Sequence, residues 1–232
     1  MKNKKMKSIL FSFVMGAAFL SPVSGYSFDF DANSAAADVV SAAGSSMIMN
    51  ANESGDAHLG QKAQEFVDDM AKNAVTFISS QSLTPEQKQE QFKALLEANY
   101  DMKTISRFAI GQYWRTASDA QKQEYQDLFK DMIVKVYSKR FSDYKGQAFN
   151  ATGWQKDSDH DFLVNSEIVP ADGSAKIDVD WRVRETNGQF KVIDVIVAGV
   201  SMGLTQRSEF SAIIQRSGGD IQALIDHLKI KG

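Results

Sequence analysis

The sequence predicts an α+β domain, on three observations. From about residue 60 to residue 141, apolar residues recur at helical spacing. At Lys145 the period changes to alternation, and an Asn-Gly pair at 187–188 separates two alternating runs. After residue 201 two helical runs return, divided by Gly218-Gly219. Helices, then about four antiparallel strands, then helices describe one sheet whose apolar face a helical layer must cover.

The first helix is expected over "QKAQEFVDDMAKNAVTFI", with Phe66, Met70, Ala74, Phe77 and Ile78 on one face. "LTPEQKQEQFKALLEANY" opens the second with Thr84 as N-cap, Pro85 at the first helical position and Gln87 completing a capping box. A short third helix starts at the cap Asp101 in "DMKTISRFAIGQYW" and ends near Gly111. The fourth begins at Ser118, with Gln121 closing another box. It repeats Tyr125, Phe129, Met132, Ile133, Val136 and Tyr137 at helical spacing.

"GQAFNATGW" is the first strand, and "HDFLVNSEIVP" the second, alternating Phe162, Val164, Ser166 and Ile168 against polar neighbours. "ADGS" is a turn. "AKIDVDWRVRE" places Ala175, Ile177, Val179, Trp181 and Val183 on one face and Lys176, Asp178, Asp180, Arg182 and Arg184 on the other. That is a half-buried strand. "TNGQ" turns the chain into "FKVIDVIVAGV", which is more apolar and so more covered. Two helices finish the chain, Asp220 capping the last.

The N-terminus reads differently. "MKNKKMK" carries four lysines and no acid, "SILFSFVMGAAFL" is a 13-residue run of small and apolar residues, and "SPVSG" adds a breaker and small residues. This order is that of a secretory signal peptide, too short to span a bilayer comfortably. Residues 1–25 are therefore expected to be cleaved after Gly25, residues 26–57 to form a flexible leader, and residues 58–232 to form the single domain. Loss of those four lysines takes the formal charge from −3 to −7. An acidic exported chain is a poor nucleic-acid ligand. It has no cysteine, so its stability rests on its core.

"GVSMG" at 199–203 fits the G-x-S-x-G spelling of a hydrolase elbow at Ser201. The context does not fit. An elbow sits in a mostly parallel sheet with strands, acid and histidine downstream. Only 31 residues follow Ser201, enough for two helices, and His227 is the sole downstream histidine. The glycines are better read as letting the last strand turn sharply into a helix. No catalytic residue and no enzyme activity are expected. His58, His160 and His227 lack close second ligands, and "DSDHD" at 157–161 reads as a polar turn, so no metal and no cofactor are expected. Asp194 is an acid inside an otherwise apolar strand. It is either a general base or, as favoured here, a buried acid paired with an arginine or a helix N-terminus.

At "ISRFAIGQYWRTAS", "WRVRETNGQFKVIDVIVAGVSM" and "LTQRSEFSAIIQRSGGDIQALIDHL" the chain resembles the MlaC family of periplasmic phospholipid-binding proteins, also called toluene-tolerance auxiliary components of an ABC transporter. Hopanoid-associated relatives share the pattern. The resemblance covers roughly residues 60–230. One departure is Ala198, where a Glu would be expected before G-V-S-M.

The resemblance implies a monomeric carrier that shuttles phospholipid, its cargo, between an outer-membrane lipoprotein complex and an inner-membrane ABC transporter complex. A second lipid, such as a hopanoid, or a ligand-free adaptor role are the alternatives. It implies a lipid-sized apolar pocket between sheet and helices. Its lining is expected from Met102, Ile105, Phe108 and Ala109, from Phe129, Ile133 and Val136, and from Val164, Ala175, Ile177, Val179, Trp181, Val192, Val200 and Met202. Two acyl chains hold on the order of 30 methylenes, whose burial is worth roughly 24 kcal/mol gross. The 15 Phe, 9 Met, 6 Tyr and 3 Trp supply material for such a site, although aromatic stripes at helical spacing serve equally well as plain core. A rigid dry void of ~1,000 Å³ would cost about 24 kcal/mol, more than the net stability of a domain. The helices near 84–99 and 101–111 are expected to move.

Overall fold

The computed structural model describes residues 49–231, with side chains from 55 to 230. The expected signal peptide and residues 26–48 of the expected leader lie outside the described residues. Helix α1 (Met49–Ser79) leads into α2 (Pro85–Asn99), α3 (Met102–Ile110) and, after a 3₁₀ turn at Gly111–Arg115, α4 (Asp119–Ser138). A second 3₁₀ turn at Phe141–Asp143 precedes strands β1 (Ala148–Lys156), β2 (Asp161–Val169), β3 (Ile177–Thr186), β4 (Gln189–Val197) and β5 (Val200–Ser201). Helices α5 (Met202–Arg216) and α6 (Ile221–Lys231) end the chain.

The capping signals act as read. Thr84 and Ser118 each accept the N3 amide, and Gln87 and Gln121 reach back to the cap amides. Asp101 caps α3 by accepting from Thr104 N at 2.9 Å. Gly111 ends α3 at φ 53°. Helix α1, however, starts at Met49, inside the stretch expected as leader. Asp56 is already tied there to Lys156 of β1 at 2.5 Å. Gly60 lies where the Trp154 ring crosses the helix: a Cβ there would fall 2.2 Å from the ring, so only glycine permits the contact.

The strands form one antiparallel meander in the order β1-β2-β3-β4-β5. The fifth strand was not expected. It is two residues long and pairs with the end of β4 through a two-residue turn, Val197 opposite Val200. Ala198 and Gly199 take φ values of 48° and 80°, the left-handed pair that a type I′ turn requires. Asn187 and Gly188 do the same between β3 and β4. At the open side of β4, Tyr100 bridges to Val192, and Asp101 N donates to Val192 O at 3.0 Å. Lys191 Nζ caps the last turn of α2 through the carbonyls of Glu97 and Ala98. The α2–α3 corner thus covers an edge that would otherwise stay unpaired.

Two cores result. Helix α1 lies on the sheet and buries Ala63, Val67 and Met70 against Phe162, Val164, Val183 and Val192. Helices α3 to α6 bury a second cluster around Tyr125, Phe129, Phe210, Ile214 and Leu224. There the buried Tyr125 hydroxyl donates to Ser106 O at 2.9 Å. The far face of the sheet carries the expected charges, and its cations are paired: Arg184 with Asp161, Lys176 with Glu167, Arg182 with Asp157.

Candidate functional site

At the seam between the two cores lies a cavity of about 260 Å³, partly open to solvent. Three helices turn one stripe each toward it. Phe92 and Leu96 come from α2, with Tyr100 at its C-cap; Met102, Ile105 and Ala109 come from α3; Phe129, Ile133 and Tyr137 come from α4. The three- and four-residue spacings put each set on one helix face. The sheet supplies Ile168, Val179, Trp181, Val192 and Val195, and the first turns of α5 supply Met202, Gly203 and Gln206.

A bulge aligns the sheet side. Val183 pairs with Val192 but Arg182 pairs with Asp194, so Ile193 is an extra residue in β4. The slip sets Val195 opposite Trp181 and Val197 opposite Val179. Val192, Val195 and Val197 therefore share a face although their numbers do not alternate. Without the bulge, Asp194 would stand opposite Trp181; with it, Asp194 stands opposite Arg182.

Among the described residues, Asp194 is the only formally charged one on the lining, its side chain 10% exposed. It is well held. Oδ2 accepts from the Ser201 hydroxyl at 2.6 Å, and Oδ1 accepts from Gly203 N at 3.0 Å and from Val195 N at 2.9 Å. Arg182 Nη1 lies 3.9 Å from Oδ2. The acid thus meets both an arginine and the N-terminus of α5, where the helix dipole favours a negative charge. Ser201 is the N-cap of that helix and accepts from Leu204 N at 3.1 Å. A hydrolase serine donates to a histidine; here the hydroxyl donates to the Asp194 carboxylate. Elsewhere on the wall, burial pushes the hydroxyl pKa values of Tyr100 and Tyr137 up.

Nine of the fifteen residues expected to line a pocket meet around this cavity: Met102, Ile105, Ala109, Phe129, Ile133, Val179, Trp181, Val192 and Met202. Six do not. Phe108 is 40% exposed and packs under the Arg207 guanidinium, 5.3 Å from the ring. Val136 precedes Tyr137 by one residue and is turned roughly 100° from it around the helix. Val164 is fully buried, but in the core beneath α1. Ala175 is exposed and outside the strand, because an Asx turn at Asp172–Ser174 delays β3 to Ile177. Ile177 itself closes the β2–β3 ladder opposite Ile168, and Ile168 rather than Ile177 reaches the cavity. Val200 is 43% exposed, on the edge strand β5.

Some lining residues went unread. Phe92, Leu96 and Tyr100 recur at four-residue spacing, a signal present in the sequence. Val195 was hidden by the bulge, and Gly203 and Gln206 by an unassigned face of α5.

The chain matches the MlaC protein family over residues 63–230. It is 28% identical over 115 residues to the toluene tolerance protein ttg2D of Pseudomonas putida, which covers 50% of this chain and 53% of that one. It is 26% identical over 114 residues to the intermembrane phospholipid transport system binding protein MlaC of Haemophilus influenzae, covering 48% and 53% respectively. The chain thus spans about half the length of these curated relatives. The phospholipid-binding protein of Ralstonia solanacearum, solved in complex with a phospholipid, shares the fold at a TM-score of 0.63 and 22% identity, over 73% of this chain and 96% of that one.

Proposed function

Because the chain belongs to the MlaC family, we propose that it is a periplasmic phospholipid carrier that shields acyl chains in the cavity between its helices and its sheet. The observation that carries this reading is the lining, where aliphatic and aromatic side chains of α2, α3, α4 and the sheet converge on one space. Such a surface gains nothing from a polar metabolite and gains about 0.8 kcal/mol for each methylene removed from water. The headgroup stays near solvent, where its charge keeps its hydration. Asp194 and Ser201 act as structural groups that hold the start of α5 against β4. No covalent step is involved.

Transfer partners follow from the same reading: an outer-membrane lipoprotein complex on one side and an inner-membrane ABC transporter complex on the other. Delivery through the export pathway fits the basic and apolar N-terminal sequence. Among the described residues, no helix is long and apolar enough to cross a membrane.

The test is native mass spectrometry and lipid extraction on freshly purified protein, with phosphatidylglycerol and phosphatidylethanolamine vesicles as donors. Phospholipid bound at a fixed stoichiometry supports the carrier. Protein that stays lipid-free with these donors overturns it.

A further inference from the structure

A second cavity of about 190 Å³ lies behind the first, beneath α1 and beside the 3₁₀ turn at Phe141. Four residues line both spaces: Phe92, Tyr100, Tyr137 and Trp181. They form a partition that the two spaces share. On the reading that the first cavity takes acyl chains, we propose that this partition is a gate, that Phe92 and Tyr137 are its moving leaves, and that it sets how long an acyl chain the protein accepts.

The four residues are not equally fixed. Trp181 is a post: its Nε1 donates to Ser166 Oγ at 3.0 Å, and that hydroxyl donates to Val179 O at 2.6 Å. Tyr100 is a post through its backbone, which bridges to Val192 of β4 and whose N–H donates to Leu96 O at 2.9 Å. Neither Phe92 nor Tyr137 has a hydrogen bond to the sheet among the described residues. Among the described residues no hydrogen bond holds the Tyr137 hydroxyl. The Phe92 ring packs against other rings, 6.3 Å from Tyr137 and 5.4 Å edge-on to Phe141. A ring held only by dispersion changes rotamer without breaking a directional bond.

The far side suits an apolar chain. Met70, Ala74, Ile78 and Leu95 line it, with Arg140 the one cation among the described residues. Swinging the two leaves joins about 190 Å³ to about 260 Å³ along one apolar path. A chain that fills the first cavity keeps its terminal methylenes out of water only if the path continues.

Full-length Phe92→Ala, which removes a leaf, and Phe92→Trp, which thickens it, test this in competition between two phosphatidylglycerols with fourteen-carbon and eighteen-carbon chains. The ratio of long to short lipid bound by each variant, divided by that of the wild type, cancels the preference of the donor vesicles. Phe92→Ala is expected to raise the ratio at least about fourfold, the worth of one further buried methylene. Phe92→Trp is expected to lower it, and Tyr137→Phe, which keeps the ring, to leave it unchanged. Should Phe92→Ala fail to fold, Phe92→Leu gives the same comparison with a smaller opening. A folded variant that binds lipid at the wild-type ratio overturns the gate and leaves the carrier standing. Wild-type protein that binds neither lipid overturns both.

Discussion

The Ser201 hydroxyl donates to Asp194 Oδ2 at 2.6 Å while its oxygen accepts Leu204 N at 3.1 Å. One side chain thus caps α5 and fastens its first turn to β4. Ser201→Ala removes both contacts and should lower stability by about 1 kcal/mol, the usual cost of losing an N-cap. Asp194→Asn should cost more, about 1.5–3 kcal/mol, because a charged acceptor is lost beside two amides and a hydroxyl. Urea melts give both values. Lipid binding by Ser201→Ala should stay at the wild-type level; loss of an ester-hydrolysing activity in that variant, with folding intact, would overturn the structural role.

Ile133 and Val200 separate the inside of the site from its surroundings. Ile133 lines the cavity, whereas Val200 is 43% exposed on β5. Ile133→Arg should abolish co-purification of phospholipid, since an unpaired charge in an apolar cavity opposes an acyl chain. Val200→Glu should leave the bound amount unchanged. Lipid extraction from the two folded variants checks the contrast, and the reverse order would move the site to the β5 edge.

Ala198 holds φ 48° in its turn, a conformation that costs an L-residue with a Cβ roughly 1–2 kcal/mol. Ala198→Gly or Ala198→Asn should therefore raise stability by about 1 kcal/mol, measured as a shift of the urea midpoint at constant slope. A drop in stability would show that the turn is not type I′ in solution.

Asp161 reports acid stability. Arg184 grips it with two hydrogen bonds at 2.7 and 2.8 Å and holds its pKa below the ordinary 3.8. A carboxyl whose pKa is depressed by folding contributes its stability above the unfolded value and loses it as pH falls through the folded value. The stability gap between wild type and Asp161→Asn should be constant above about pH 5 and should close as pH drops below 3.8. A gap that persists at pH 2 would assign the loss to packing.

Removal of bound lipid should raise amide exchange in α2 and α3 more than in β3 and β4. Once lipid leaves, the apolar walls around about 260 Å³ must either face water or close on one another, so they relax into the space. The Asp101 amide is a reporter, because its hydrogen bond to Val192 O joins the α2–α3 corner to β4. Equal protection with and without lipid would leave the walls rigid.

The sequence by itself determined what depends on near neighbours. The caps at Thr84, Asp101 and Ser118, the Asn187-Gly188 turn and the alternation from Val179 to Val183 are each set by residues within a few positions. Those signals established the α+β order and the helix and strand faces that carry Phe129, Ile133, Val179 and Trp181; the other expected lining residues came with the family resemblance. Only the tertiary structure decided where those faces meet. The extra residue at Ile193 reverses the parity of β4 and turns Val195 inward, and an alternating pattern gives no warning of it. Val164 and Val179 share one sheet face, yet α1 covers the first and the cavity takes the second. Which part of a buried face is packed and which stays open depends on where a distant helix stops, a relation between residues far apart in the chain.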